Sequence, residues 1–289
     1  MSNSLSKAEI EQFHQSGLLH PKRVLSSAEA GAALRELQDY EASSGGSVQG
    51  KWRYKSHLVF PFINRLMRAD AILDLVADLI GPDLLVWTSH LYPKEPGDGR
   101  FISWHQDAAH WGLDSDQVVT VWIALTPVNQ QNGCMRMLAG SHRLGIVEHA
   151  DTWDPANILT RGQTITQEID ESRAVALELE AGECSLHHVN MFHASHANYS
   201  SDRRVGLALR YITPQARQQR VDQDFATLVR GEDRYGHFVH EAAPEILMQP
   251  EFVQLHSRIS DIQGQIYLDG TARAGLAGLT ETNVLRNDD

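Results

Sequence analysis

The sequence predicts a mostly β fold, a sandwich or jelly roll, with helices packed on its outside. Four short runs between residues 84 and 212 are enriched in β-branched, apolar and aromatic side chains. Gly, Pro, Asn and Asp separate these runs, whereas the first 83 residues have mostly helical spacing. Several short strands joined by turns favour this class over a parallel βαβ sheet.

Three helices are predicted in the first 83 residues. The range 6–14 has a polar start and is followed by Gly17, and the range 26–41 begins with serine caps and is rich in Ala, Leu and Glu. The range 70–80 places its apolar side chains on one face, and Gly81-Pro82 follows as a stop signal. We therefore expect helices that flank a β core.

The four strand runs are predicted at 84–92, 118–125, 174–179 and 204–212. Asn132-Gly133 predicts a tight hairpin, because both central positions of a type I′ turn need positive φ.

No internal repeat or linker divides the sequence, so a single domain over 1–289 is expected. It would contain a mainly helical flank at 1–83, a jelly-roll core at 84–213 and a C-terminal segment at 214–289.

Charge and composition exclude several classes of protein. The chain has 25 Lys+Arg and 37 Asp+Glu, a net charge of −12, so neither a nucleic-acid partner nor an anionic membrane is expected. The start lacks the apolar segment of a secretory signal, and no run approaches the roughly 18 apolar residues of a spanning helix. We expect a soluble, cytoplasmic protein. Two cysteines predict neither a disulfide framework nor a thiolate metal cluster.

His105 and Asp107, in SWHQD, are the first candidates for chemistry. Residues two apart on a strand share a face, so an imidazole and a carboxylate there could hold adjacent positions on one metal ion. A further histidine would complete the facial triad of non-haem Fe(II) oxygenases. About one His-x-Asp is expected by chance in this composition. A second copy, His149-Ala150-Asp151, follows a polar turn and is predicted to lie in a solvated loop.

The context of His105 resembles a known family. The segments SWHQDAAHWGLDSDQVVTVWIALTPVNQQNGCMRMLAGSH and AGECSLHHVNMFHASHANYSSDRR are similar to the phytanoyl-CoA dioxygenase family of Fe(II)/2-oxoglutarate oxygenases, and the similarity extends over residues 8–240. The resemblance implies a double-stranded β-helix, a jelly roll of the cupin type. It also implies an enzyme that uses Fe(II), 2-oxoglutarate and O2 to hydroxylate a C–H bond, with release of succinate and CO2.

The resemblance also assigns roles to single residues. It implies that His105, Asp107 and His193, in FHAS, are the iron ligands, and that Arg204, eleven residues beyond His193, binds the distal carboxylate of 2-oxoglutarate with the help of Ser195. Related halogenases replace the aspartate by Ala or Gly, so the presence of Asp107 favours hydroxylation.

The residue type at position 204 supports its assignment. A guanidinium is always charged, and its planar fork matches a carboxylate. Gly206 and Ala208 share the face of Arg204 on the predicted strand and would leave space for a bound acid. A surface salt bridge is the alternative for this arginine.

Two further positions near the cosubstrate are implied by the resemblance. Trp122 lies where the family often has a tryptophan, although a buried core aromatic is the alternative. Lys94 lies where members often carry a lysine. The other histidines of this region are expected to pack or to form hydrogen bonds without binding metal, and His196 could also line the substrate pocket. These are His110, His187, His188 and His196.

Candidate substrate residues are Trp111, just after the iron motif, and Arg230, Tyr235 and Phe238 in VRGEDRYGHF. An arginine with aromatics would suit a small polar, acidic or amine-bearing metabolite. A solvated, ion-paired loop is the alternative for the charges at 230–234. Two other function classes stay open: a cupin-like metal enzyme without a 2-oxoacid cosubstrate, and a noncatalytic jelly roll that binds a small molecule.

Overall fold

The computed structural model describes residues 4–272, which contain six α-helices and thirteen strands. The helices are α1 (Lys7–Ser16), α2 (Ser27–Ser44), α3 (Pro61–Leu66), α4 (Asp70–Ile80), α5 (Ala108–Trp111) and α6 (Pro250–Leu268). The strands are β1 (Leu18–Arg23), β2 (Leu84–Lys94), β3 (Ile102–His105), β4 (Val118–Ala124), β5 (Met135–Met137), β6 (His149–Asp151), β7 (Gln163–Ile165), β8 (Val175–Ala176), β9 (Glu183–His188), β10 (His193–Ser195), β11 (Arg204–Ile212), β12 (Phe225–Arg230) and β13 (Val239–His240).

Two main sheets face each other across a cavity. The larger sheet has seven strands in the order β1-β9-β4-β11-β2-β12-β13, and the smaller has four in the order β3-β10-β5-β8. Strands β6 and β7 form a separate pair. Because side chains from both main sheets line one cavity, the strands enclose an interior site. This arrangement confirms the predicted jelly roll with flanking helices.

The central strand β11 separates the helical layer from the cavity. Side chains alternate between the two faces of a strand. Val205, Leu207 and Leu209 belong to the apolar core that also contains residues of α2, α3 and α4. Arg204 and Arg210 have the other parity and line the cavity. The outer face of the larger sheet is thus covered by helices, while its inner face carries the polar site.

The predicted N-terminal helices are present, and local capping explains their limits. Ser6 and Ser26 each form a capping box with a glutamate three residues later, at the starts of α1 and α2. Gly17 and Gly45 end these helices in the left-handed region, with φ of 74° and 85°. Each of these signals depends only on residues within one or two turns.

Three local predictions are wrong. The predicted strand at 174–179 is reduced to Val175–Ala176. Asn132-Gly133 does not form a type I′ hairpin: Gly133 has a φ of 79°, Asn132 has no positive φ, and the segment joins β4 in the larger sheet to β5 in the smaller one. The second His-x-Asp copy is not a solvated loop, because His149–Asp151 is strand β6, paired with β7.

The single domain predicted over 1–289 stays a prediction, and its ends, 1–3 and 273–289, lie outside the described residues. Between residues 4 and 272, no helix has both the length and the apolar character that crossing a bilayer requires.

A buried ionic cluster joins the chain before α3 to the edge of the larger sheet. The Glu241 carboxylate accepts hydrogen bonds from Lys55 at 2.7 Å, from His57 at 2.9 Å and from Thr227 at 2.7 Å. The side chains of Lys55, His57 and Glu241 are inaccessible to solvent. Burial would raise the pKa of Glu241, but Lys55 and His57 outweigh it and lower that pKa to about 2.

Glu241→Gln should lower the free energy of unfolding at pH 7 by about 3–5 kcal/mol, because the Lys55 ammonium would stay buried without its counter-charge. Urea denaturation measures the change. Glu245→Gln, at an exposed position, is the control and should leave the free energy nearly unchanged. A loss below about 1 kcal/mol for Glu241→Gln would show that the cluster is not a buried ion pair in solution.

The same carboxylate predicts a pH dependence. Its folded-state pKa of about 2 lies below the ordinary value of 4.5, so its contribution to stability is present above pH 4.5 and is lost as pH falls toward 2. Unfolding free energies measured between pH 5 and pH 3 should therefore fall more steeply for the wild type than for Glu241→Gln. Parallel curves for the two proteins would contradict the assignment.

Candidate functional site

His105 and His193 lie directly opposite each other where β3 pairs with β10. Their ring centroids are 4.0 Å apart. Nδ1 of His105 lies 2.9 Å from the carbonyl oxygen of Ser103, and Nδ1 of His193 lies 3.0 Å from that of Met191. Because a carbonyl oxygen can only accept, each Nδ1 carries the hydrogen and each Nε2 keeps a free lone pair. The backbone therefore orients both rings so that Nε2 of each is free to bind a metal ion.

Asp107 completes a three-residue cluster with these histidines. Its Oδ1 lies 3.6 Å from Nε2 of His105 and 4.0 Å from Nε2 of His193, and one potential ligand atom from each residue lies within 4.8 Å of the others. The expectation that Asp107 continues the strand of His105 is wrong. Strand β3 ends at His105, and Asp107 has helical dihedral angles (φ −59°, ψ −45°) at the start of α5. A turn brings its carboxylate back toward the two rings.

The protonation states of the cluster suit a divalent cation. Burial, and then the neighbouring His105, lower the pKa of His193 to about 4, so its ring is neutral at pH 7. Burial alone would raise the pKa of Asp107, but the nearby imidazoles of His105 and His193 and the guanidinium of Arg210 outweigh it and lower that pKa below the usual range. Oδ2 of Asp107 is buried and has no hydrogen-bond partner among residues 4–272. Two imidazoles and a carboxylate on one side of a cavity fit Fe(II) with open positions.

The cluster lies in a cavity of about 430 Å³ between the two main sheets. Its walls include the predicted cosubstrate residues Trp122, Ser195 and Arg204. His187 also lines it, with its ring 5.3 Å from that of His193, but burial holds the pKa of His187 far below its ordinary value. His187 is therefore a neutral wall residue outside the three-residue cluster.

Arg204 brings a buried positive charge into this cavity. Its side chain is 1% exposed, it donates a hydrogen bond to the carbonyl oxygen of Gly133, and its Nε has no partner in the described part of the chain. Its carbon Cζ lies 5.5 Å from the centroid of the Trp122 ring. Within residues 4–272 no carboxylate forms an ion pair with Arg204. The guanidinium is thus available for an anionic ligand.

Lys94 lies opposite Arg204, where β2 pairs with β11. Its Nζ donates a hydrogen bond to Oγ of Ser195 at 2.9 Å and another to the carbonyl oxygen of His196. Burial, and then the charge of Arg204, lower the pKa of Lys94 to about 6. Because Oγ of Ser195 accepts from Lys94, its own proton is free to be donated into the cavity.

The space predicted beside Arg204 is partly filled. A Cβ atom at Gly206 would overlap the six-membered ring of Trp122, so the absence of a side chain accommodates the indole and leaves no room there for an acid. Ala208, the next residue on this face, does line the cavity. Gly206 therefore positions Trp122 against Arg204.

A second cavity, of about 480 Å³, adjoins the first. The two share the wall residues Tyr92, Asp107, Leu159 and Arg210. Arg210 is not among the residues predicted from the sequence, although it shares strand parity with Arg204 on β11. Trp111, a predicted substrate residue, lines the second cavity with its ring 5.3 Å from Cζ of Arg210.

The structure does not bring the other predicted substrate residues to either cavity. Arg230 forms ion pairs with Asp70 at 2.8 Å and Asp74 at 2.5 Å, because the end of β12 pairs with the start of β2 and points toward α4. Tyr235 is exposed, and Phe238 packs in an apolar cluster that includes Trp87. His196 is also exposed; only its backbone carbonyl approaches the site, through Lys94.

The second His-x-Asp copy, His149–Asp151, helps to hold the first copy in place. Nε2 of His149 accepts a hydrogen bond from the backbone N–H of Gln106 at 3.0 Å. The Gln106 side chain donates to the carbonyl oxygens of Gly145 at 2.7 Å and Asn190 at 2.8 Å, and it accepts from the N–H of Val147 at 2.8 Å. Gln106 is buried, so these bonds fix the turn between the two motif residues. Motif spacing alone did not reveal this role.

The remaining histidines contact neighbours outside the cluster. The ring of His110 lies 5.4 Å from that of His149 and borders the second cavity, and the ring of His188 lies 5.1 Å from that of His142. Burial lowers the pKa of His110 to about 3 and that of His188 to about 4, so both rings are neutral.

Gly206→Ala should lower the free energy of unfolding by about 1–3 kcal/mol, because the added methyl group forces the Trp122 ring away from Arg204. Urea denaturation and tryptophan fluorescence report the two effects. Gly46→Ala is the matched control, since a Cβ there meets no atom within 4 Å. An unchanged fluorescence spectrum and stability for Gly206→Ala would contradict the packing described.

Comparison with known proteins identifies relatives of the chain. The sequence model of the family described as phytanoyl-CoA dioxygenase (PhyH) matches residues 13–206. A probable alpha-ketoglutarate-dependent hypophosphite dioxygenase of Stutzerimonas stutzeri is 29% identical over 64% of this chain and 65% of its own length. An L-proline trans-4-hydroxylase of Streptomyces griseoviridis is 27% identical over 51% of this chain and 61% of its own. The matches thus span less than two thirds of each of these relatives.

A solved structure, the non-heme monooxygenase ThoJ in its apo form, is 38% identical, with a TM-score of 0.79 over 89% of this chain and 96% of that one. The ThoJ–nickel complex is 36% identical, with a TM-score of 0.73 over 89% of this chain and 98% of that one.

Proposed function

Because the chain belongs to the phytanoyl-CoA dioxygenase family, we propose that it is an Fe(II)/2-oxoglutarate-dependent dioxygenase. The reaction proposed is hydroxylation of a C–H bond in a small polar, acidic or amine-bearing metabolite by O2, with release of succinate and CO2. One observation carries the proposal: one cavity contains three convergent ligand residues, His105, Asp107 and His193, and an unpaired buried guanidinium, Arg204.

Each of these side chains has a defined task. His105 and His193 would hold the iron through Nε2 and Asp107 through its carboxylate, all on one side, so that positions toward the cavity stay open. When bound, the iron with 2-oxoglutarate and O2 supplies the oxidant for hydroxylation. Arg204 would bind the distal carboxylate of 2-oxoglutarate.

The surroundings of Arg204 favour binding of a carboxylate. Ser195 can donate its free hydroxyl proton to that group, because Lys94 occupies one acceptor position of Oγ. Trp122 covers the guanidinium and excludes water from it, which strengthens a charged hydrogen bond. Gly206 permits this packing.

The relatives support the reaction class. The name of the Stutzerimonas stutzeri protein gives alpha-ketoglutarate dependence and hypophosphite as the substrate, and the Streptomyces griseoviridis protein is named for proline. Both substrates are small molecules. ThoJ, a monooxygenase, has been solved with a divalent metal, nickel. We further propose that the protein acts in the cytoplasm on a small molecule. We propose no nucleic-acid or membrane partner, because a net charge of −12 disfavours binding to such anionic surfaces.

Replacing His105, Asp107 or His193 by Ala should reduce iron-dependent succinate formation by at least about a hundredfold, because each change removes a ligand. Anaerobic Fe(II) titration should show weaker metal binding as well. His14→Ala, at an exposed position, should leave both measurements unchanged. Full activity of Asp107→Ala would contradict the ligand assignment. Tight Fe(II) binding by the wild type without any 2-oxoglutarate turnover would instead indicate a metal protein of another class.

Arg204→Ala should weaken 2-oxoglutarate binding about ten- to a hundredfold, equivalent to about 1.5–3 kcal/mol, because the charged hydrogen bonds to the distal carboxylate are lost. Titration of the Fe(II) protein with 2-oxoglutarate under argon measures the dissociation constant. Arg203→Gln is the matched control: it changes the adjacent cation, which faces away and pairs with Glu41 and Glu95. Equal affinity in wild type and Arg204→Ala would exclude this arginine as the anchor.

A further inference from the structure

Arg210 is a second buried guanidinium that the proposed reaction does not use. Its side chain is 5% exposed and lies in the wall shared by the two cavities. One nitrogen, Nη2, donates to the hydroxyl of Tyr92 at 3.0 Å, while Nε is buried without a partner in the described chain. The nearby carboxylate of Asp107 contacts the two cluster histidines, and its free oxygen Oδ2 makes no hydrogen bond to Arg210. No described carboxylate therefore pairs with Arg210.

A count of charges shows that a site loaded with Fe(II) and 2-oxoglutarate would still lack one negative charge. The two positive charges of Fe(II) and the one of Arg204 would be offset by Asp107 and by the two carboxylates of 2-oxoglutarate. The charge of Arg210 would remain uncompensated in the interior. An anion beside this guanidinium would balance the remaining charge and accept a hydrogen bond from Nε.

We propose that Arg210 binds an anionic group of the substrate, a carboxylate or a phosphorus oxyanion, in the second cavity beside the metal cluster. This inference rests on the proposed function and names the substrate class of the same site. Arg161, the other guanidinium of this cavity, is already satisfied: its Nε donates to Asp151 at 2.9 Å, and Nη1 donates to the carbonyl oxygen of Asp269 at 3.1 Å. Of these two cations, Arg210 is the one left for a ligand.

The rest of the cavity suits the non-ionic part of such a substrate. The ring centroid of His90 lies 4.0 Å from that of Tyr54 and 4.1 Å from that of Tyr92, and Trp111 and Tyr267 add two further aromatic walls. Burial keeps His90 neutral by lowering its pKa far below the ordinary value. These aromatic walls suit an apolar or planar body attached to the anionic group.

Part of this cavity lies outside the region that matches the family. Arg210 follows residue 206, where the family match ends, and Tyr267 belongs to α6. Arg161 and Arg220 hold the end of α6 in place by donating to the carbonyl oxygens of Asp269 and Ile266, respectively. The second cavity is therefore lined both by the jelly roll and by the C-terminal helix α6.

The test compares acids with matched uncharged and cationic compounds. The protein is loaded with Fe(II) and 2-oxoglutarate under argon, and phenylacetate, phenylphosphonate, phenylacetamide and phenethylamine are titrated in. Calorimetry and the visible absorption of the iron–2-oxoglutarate complex give the dissociation constants. The acids should bind at least about tenfold more tightly than phenylacetamide, and phenethylamine should bind most weakly.

Two variants isolate the guanidinium. Arg210→Gln, studied at saturating Fe(II), should abolish the preference for acids, a loss of about tenfold or more, while binding of phenylacetamide and 2-oxoglutarate stays within about twofold. Arg210→Lys should keep part of the preference, because it restores a charge without the planar fork. Arg230→Gln is the matched control, since that arginine forms a surface ion pair with α4. Circular dichroism confirms that each variant is folded.

Two results would overturn the inference: acids that bind no better than phenylacetamide, or a preference for acids that survives in Arg210→Gln. The second result would show that a group other than Arg210 selects the acid. Failure of the wild type to bind Fe(II) and 2-oxoglutarate would instead overturn the proposed function, so the two ideas fail separately.

Discussion

The pairing of β3 with β10 is the constraint on which the site depends. It sets His105 against His193, and the hydrogen bonds from their Nδ1 atoms to nearby backbone carbonyls direct both Nε2 atoms to one point. Gln106 then fixes the turn that returns Asp107 to the same point. Because backbone and buried amide groups hold these three side chains, the cluster is already arranged, which would reduce the cost of ordering side chains around an ion.

The second determinant is the alternation along β11. One face of this strand packs against the helices, and the other presents Arg204 and Arg210 to the interior. The whole chain is acidic, with a net charge of −12, yet its central cavity contains two guanidinium groups that form no ion pair with any carboxylate between residues 4 and 272. Net charge describes solubility and long-range attraction, whereas the interior field depends on the few charges that water cannot screen. Such buried cations are stable when a ligand supplies the opposite charge.

Local signals predicted several elements well. The capping boxes at Ser6 and Ser26 define the starts of two helices, and the run at 204–212 coincides with β11. Predictions that required knowledge of sheet membership were less successful. The Asn132-Gly133 pair is typical of a hairpin turn, but the strands on either side of it belong to different sheets. The positive φ of Gly133 therefore occurs in a loop that crosses from one sheet to the other, and no hairpin forms.

The amino-acid sequence by itself determined the helix caps and the alternation of β11, and its resemblance to a known family indicated His105, Asp107, His193 and Arg204 as candidates. Only the tertiary structure decided which charges are satisfied. Arg230 is paired because α4 packs beside the end of β12, and Arg210 lacks an ionic partner because no carboxylate of the described chain reaches its nitrogens. Caps and strand faces depend on residues within a few positions. The ion pairs of Arg230 join residues more than a hundred positions apart, which only strand order and packing bring together.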